Sequence, residues 1–241
     1  MKLRLASFLL TLLCLTTVPA HALDVDANLS LGVFDKYLWR GINLSDGRAV
    51  TQGAVELSTG GFTLGAWGNA QLRDTDAYDA GAVNELDFTI DYSFDVNELL
   101  SVSIGNITYV LKDLEDTSEA YLGLTVNTLL SPTFTAYYDW DEAEETGLYY
   151  TAAISHTFEP CQHAGINLGA LVGYNDKSDY SIGDYTGWHN YELSASADIK
   201  VTDQFTITPS LLYSSPISDK AKQAIDSEWL AGVNLSYSFS Y

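Results

Sequence analysis

From Trp229 the chain alternates without interruption to its final residue. Trp229, Ala231, Val233, Leu235, Tyr237, Phe239 and Tyr241 are apolar or aromatic, while Leu230, Gly232, Asn234, Ser236, Ser238 and Ser240 between them are mostly small or polar. Successive side chains of a strand point to opposite faces, so this period of two predicts one apolar face and one polar face. In water, such a strand would aggregate through any free edge. A transmembrane β-barrel resolves both problems, because lipid covers the apolar face and closure removes the edge.

The same alternation recurs in about twelve segments: 27–39, 49–58, 62–72, 84–94, 99–111, 118–127, 132–141, 147–158, 165–175, 187–200, 204–214 and 228–241. Each is close to the roughly 9–11 residues that a tilted strand needs to cross the hydrocarbon layer. The expected outward sets include Phe62, Leu64 and Ala66, then Leu86, Phe88, Ile90, Tyr92 and Phe94. Later come Tyr191, Leu193, Ala195, Ala197 and Ile199, then Phe205, Ile207, Pro209, Leu211 and Tyr213. The fifth segment changes phase near Gly105 and Asn106, from Leu100, Val102 and Ile104 to Ile107, Tyr109 and Leu111, which predicts a β-bulge. Short connections alternate with longer, more charged ones. The expected fold is therefore all-β, a closed antiparallel transmembrane barrel with short periplasmic turns and longer extracellular loops.

The aromatic residues segregate in the same frame. If the first strand runs outward, Trp39, Trp140, Trp188 and Trp229 fall at outer ends. Phe62, Phe94, Phe134, Phe158, Phe205 and Phe239 fall at inner ends, and Trp67 falls mid-strand. Two such girdles flank the apolar band of an outer-membrane barrel. A secreted or periplasmic β-sandwich also alternates, but it requires neither girdles nor twelve strands of matched length.

Lys2 and Arg4 precede an apolar run from Leu5 to Leu15, followed by Ala20-His21-Ala22. This reads as a secretory signal over 1–22, with the barrel over 23–241. Cys14 leaves with the signal, so Cys161 alone remains and no internal disulfide is expected; a reactive thiol is the alternative. The net charge of −21 argues against nucleic acid or an anionic surface as a direct partner. With 46% of residues apolar or aromatic, the acidity does not signal disorder.

The stretch Phe34-Asp35-Lys36-Tyr37-Leu38-Trp39-Arg40-Gly41-Ile42-Asn43-Leu44-Ser45-Asp46-Gly47 resembles the opening of the TorF-type porins. The similarity continues through Ala49 to Gly53 and Phe62 to Gly68, and the motif rests on Asp35, Tyr37, Arg40 and Gly41. Lys36 separates Asp35 from Tyr37, a departure from the family's pattern that bears on which face Asp35 takes. The resemblance implies a small outer-membrane barrel of porin type. The ending Tyr237, Phe239 and Tyr241 resembles the signal read by the outer-membrane barrel assembly machinery. The first strand is the expected partner that closes the barrel against it.

Function would reside on the inward face. There the alternation places Glu56, Glu85, Asp87, Asp91, Asp139, Glu192 and Asp198, opposed by Lys36, Arg40 and Lys200. An acid-rich wall at a narrow aqueous pore favours cations. The alternative is that these side chains pair across a filled lumen. Asp35 falls on the lipid side, and a local bulge turning it toward Arg40 would relieve the cost.

Three functions fit. The first is passive diffusion of small hydrophilic solutes; the second is a closed structural or adhesive barrel acting through acidic loops. The third is a lipid-modifying rim enzyme, for which His189 beside Trp188, Asn190 and Glu192 is the candidate, although no serine is spaced to pair with it. A belt or loop histidine is the simpler reading, and no catalytic residue is assigned. Asp74, Asp76, Asp79 and Gly81 lack the spacing of an EF-hand and read as a solvated charge run. Loosely held divalent cations bridging such loops to lipopolysaccharide are the alternative; no cofactor and no dedicated metal site are expected. The expected location is the outer membrane of a Gram-negative bacterium, with lipid, lipopolysaccharide, the assembly machinery and small solutes as partners.

Overall fold

The alternating segments form the wall of one closed barrel. A computed structural model describes residues 24–241, so the signal expected over 1–22 lies outside the described residues. The wall strands are β1 (Asp26–Phe34), β4 (Val50–Thr59), β5 (Phe62–Gln71), β6 (Val83–Asn97), β7 (Leu100–Leu111) and β8 (Thr117–Val126). They continue with β9 (Thr133–Asp139), β10 (Leu148–Cys161), β11 (Ala164–Asp176), β12 (Thr186–Lys200), β13 (Phe205–Pro216) and β14 (Glu228–Ser240). Every neighbouring pair is antiparallel, and β1 lies between β14 and β4. Two short strands, β2 (Leu38–Trp39) and β3 (Ile42–Asn43), pair with each other and stand outside the wall. Among the described residues there is no α-helix, only a 3₁₀ turn at Ala221–Gln223.

At the closing seam β1 pairs with β14 from Asp26↔Ser240 to Phe34↔Gly232. Val25 and Tyr241 extend that ladder by exchanging backbone hydrogen bonds of 3.1 and 2.9 Å. The register places Leu29, Leu31 and Val33 beside Tyr237, Leu235 and Val233, all exposed on the outer surface. The expected outward sets on β5, β6, β12 and β13 occupy that same surface. Polarity is inverted relative to a water-soluble protein: the large aliphatic side chains face out, and Asn69, Gln71, Glu119, His189, Asn190 and Ser214 are buried inside.

The structure departs from the sequence expectation in β1, β6, β7 and β12. The first strand ends at Phe34 instead of continuing to Trp39, and the chain then turns into the barrel. Asp35 does not turn toward Arg40; its N–H donates to Ala231 O (2.9 Å) and its carboxylate accepts the Ala231 N–H (3.0 Å). Its charge thus caps the seam where backbone pairing stops.

The bulge expected at Gly105 and Asn106 is absent, because β7 holds one register with β6 and β8 through that point. Ile107, Tyr109 and Leu111 consequently point inward, and Tyr109 is buried in the lumen.

Register shifts occur instead at the inner ends of β6, between Asp95 and Asn97, and of β10, between Phe158 and Cys161. Two more lie near outer strand ends, in β6 at Asn84 and in β12 at His189 and Asn190. Each of these two bulges turns two consecutive side chains inside, Asn84 with Glu85 and His189 with Asn190.

Candidate functional site in the lumen

Between β1 and β4 the chain folds inward as a β2–β3 hairpin whose two turn residues are Arg40 and Gly41, with φ of 49° and 81°. Two-residue hairpins favour turns with both central φ positive, a role suited to Asn-Gly. Gly41 meets this requirement freely, and a β-carbon there would also come within 2.8 Å of Ile225 from the loop above. Arg40 meets it at a backbone cost of order 1–3 kcal/mol, which its side-chain contacts must offset.

Those contacts come from the barrel wall. Arg40 Nη1 and Nη2 donate to Glu119 Oε1 and Oε2 at 2.8 and 2.6 Å, a two-pronged ion pair. The side chains are only 9% and 1% exposed. The guanidinium also lies 4.3 Å from the ring centre of Trp39, 4.6 Å from that of Tyr137 and 4.5 Å from that of Tyr149. Each cation–π contact is worth about 0.5–2 kcal/mol, more where water is excluded. Tyr109 OH donates to Glu119 Oε2 (2.9 Å), and Tyr149 OH donates to Asn190 (3.0 Å).

The hairpin backbone is anchored by His189, whose Nε2 lies 2.7 Å from the Arg40 carbonyl. A carbonyl only accepts, so Nε2 carries the proton and Nδ1 is left to accept from the Tyr185 hydroxyl. Burial pushes that hydroxyl up to about 12, which keeps it a donor at neutral pH. His189 is therefore a fully buried anchor with both nitrogens engaged, not a residue of the outer belt or a loop. The bulge is what turns it inward.

The motif residues frame this partition. Tyr37 OH donates to Glu85 (3.1 Å), and its ring packs 5.4 Å from Trp67, which explains a mid-strand tryptophan. Trp39 is not in the outer belt; it sits in the lumen with its ring 6.0 Å from that of Tyr109. Lys36 pairs with Glu228 at 2.6 Å.

A cavity of about 280 Å³ on the loop side is lined by Trp39, Tyr109, Glu119, Tyr78 and Tyr180. One of about 230 Å³ on the other side is lined by Trp39, Arg40, Tyr109, Tyr137, Tyr149 and Glu192. Trp39 and Tyr109 line both, so the hairpin divides the lumen.

The other luminal acids have separate surroundings. Asp87 is partly buried, with Oδ1 unpartnered. Asp91 accepts from Tyr121 OH (2.7 Å) and Ser93, and Asp198 accepts from Asn167 and Thr208. Glu192 accepts from Asn190 (2.9 Å), while Asp139 Oδ1 accepts from Thr117 (2.8 Å) and the start of the next loop. Glu56 lines a cavity of about 460 Å³ at the inner end together with Asp26, Asn28 and Asp203. Lys200 is exposed at that end.

Glu119, the acid at the centre of the partition, escaped the sequence reading. Its place two residues before Tyr121 and opposite in phase to Leu122 and Leu124 was the available signal.

Outside the lumen, Trp140, Trp188 and Trp229 are exposed at the loop end of the wall. Phe62, Phe94, Phe134, Phe158 and Phe239 are exposed toward the opposite end, with Phe205 half-buried there. Cys161 is exposed and unpaired at the end of β10. Asp74 is engaged locally, accepting the Ala80 N–H at 2.7 Å.

Solved structures with a similar fold include two porins and an outer membrane channel. The NanC porin aligns with a TM-score of 0.56 at 12% identity, over 88% of this chain and 98% of its own. The KdgM porin aligns at 0.56 and 13% identity, over 89% and 99%. An outer membrane channel from Pseudomonas putida F1 gives 0.55 and 11%, over 90% and 96%. At such identities the likeness is one of fold. No curated protein matches in sequence. The family match is to the group described as "Bacterial protein of unknown function (Gcw_chp)", a description that carries neither the TorF name nor a function. Its model spans residues 17–237, and the chain belongs to that family.

Proposed function

We propose that the protein is an outer-membrane channel for passive diffusion of small hydrophilic solutes, with a preference for cations. The observation that carries this reading is the inverted polarity of a closed barrel. An apolar exterior of this extent suits hydrocarbon and not water. The interior is polar and acidic, with Glu56, Asp87, Asp91, Glu192 and Asp198 on the wall and the Arg40 charge already balanced by Glu119. A similarly folded KdgM porin is described in complex with disordered oligogalacturonate, a polyanion. The acids lining this lumen disfavour such a ligand and favour the opposite charge.

Reconstitution into a planar bilayer under a salt gradient tests the proposal. Discrete conductance steps with a cation-selective reversal potential are expected. A folded barrel that stays silent would support the second reading, a closed barrel acting through its acidic loops. The observation favouring that alternative is the hairpin dividing the lumen.

A further inference from the structure

We propose that Tyr137, Tyr149 and Glu119 form a binding site for a solute bearing a guanidinium group, and that Arg40 occupies it as a tethered stand-in. The inference rests on the channel reading above and names the class of cation that such a channel would recognise.

The three side chains belong to the barrel wall, on β9, β10 and β8, and none belongs to the hairpin that delivers Arg40. They present what a planar delocalised cation requires: two aromatic faces at 4.6 and 4.5 Å and a carboxylate meeting both terminal nitrogens at 2.8 and 2.6 Å. A compact metal cation would find only one carboxylate there and no use for the fork geometry. Tyr109 OH orients the carboxylate through Oε2, as hydrogen bonds preorganise a receptor before its ligand arrives.

Nothing in the local chain calls for arginine at position 40. A left-handed turn residue is better served by Asn or Gly, yet Arg40 takes φ +49° to reach the site. The cavity of about 230 Å³ adjoins the site, with Glu192 in its lining. It provides space for the remainder of a small solute and a second negative charge along its path. Attachment to the chain gives Arg40 a high effective concentration, so a free solute competes against an intramolecular ligand. Removing the arginine side chain should expose the site.

The test uses the full barrel refolded in detergent, titrated calorimetrically with methylguanidinium as the probe. Arg40→Ala should bind methylguanidinium about tenfold more tightly than the unaltered protein and about tenfold more tightly than the Arg40→Ala/Glu119→Gln barrel. Sodium at equal concentration should not compete. If Arg40→Ala does not give a heat-modifiable barrel, Arg40→Gln, which retains the side-chain length without the charge, takes its place. Equal affinity in all three proteins would overturn the site.

The same proteins in planar bilayers separate this result from the wider reading. Conductance without methylguanidinium binding leaves the channel and removes the site. Silent barrels that bind the probe in the Arg40 variant, but not after Glu119→Gln, keep the site and remove the channel.

Discussion

Tyr149 lies across Gly173 on the adjacent strand so closely that a β-carbon there would collide with its hydroxyl and with Asn190. Gly173 faces the lumen, and its missing side chain is the space into which the tyrosine folds before presenting its ring to Arg40. Gly173→Ala should therefore displace the ring and cost about 1–3 kcal/mol, as overpacking does. Urea unfolding of the barrel in liposomes would measure this. Tyr149→Phe, which keeps the ring and loses the bond to Asn190, should cost only about 1 kcal/mol.

The Arg40–Glu119 pair lends itself to a double-mutant cycle. Removing either partner leaves a buried charge uncompensated, at a cost of about 3–5 kcal/mol. The Arg40→Ala/Glu119→Ala protein should lose much less than the sum of the single variants. Additive losses would show that the pair is not coupled.

Asp35 makes a smaller contribution at an exposed seam. Asp35→Ala removes the acceptor for the Ala231 N–H and should cost about 0.5–1.5 kcal/mol without preventing assembly. Asp35→Asn keeps an oxygen in that place and should recover most of the loss. A thermal unfolding series comparing the three proteins decides the matter; no change in Asp35→Ala would remove the seam role.

Selectivity should follow the wall acids. Asp91→Asn with Asp198→Asn keeps one acceptor oxygen at each position, for Tyr121 and Thr208, while removing two charges from the lumen. The reversal potential in a salt gradient should move toward the non-selective value. An unaltered potential would place the selectivity elsewhere.

Deletion of Phe239 to Tyr241 removes the Ala27↔Phe239 and Asp26↔Ser240 pairs and the bonds between Val25 and Tyr241. The closing seam then begins short by three positions and lacks its aromatic end. Loss of heat-modifiable barrel from the outer membrane is expected; normal amounts after deletion would show that this end is dispensable.

The wall was legible because its information is local. Alternation from Trp229 to Phe239 states the outward face residue by residue, and closure follows because no edge strand carries a device to protect it. The same local signal failed at Trp39, Tyr109 and His189. Trp39 continues an alternating run, yet β1 stops at Phe34 because the next residues gain more from Glu119, Glu85 and His189 inside the barrel. Those partners lie 79, 48 and 149 residues away, a separation that periodicity does not sense. At Tyr109 an apolar luminal residue looks like a phase slip, and at His189 the genuine bulge shows in the spacing only as the odd step from outward Trp188 to outward Tyr191. The residues thus specify a barrel with an acidic interior from their order alone. Whether the first loop folds outward or fills the lumen depends on which distant side chains face the same space once the sheet has closed.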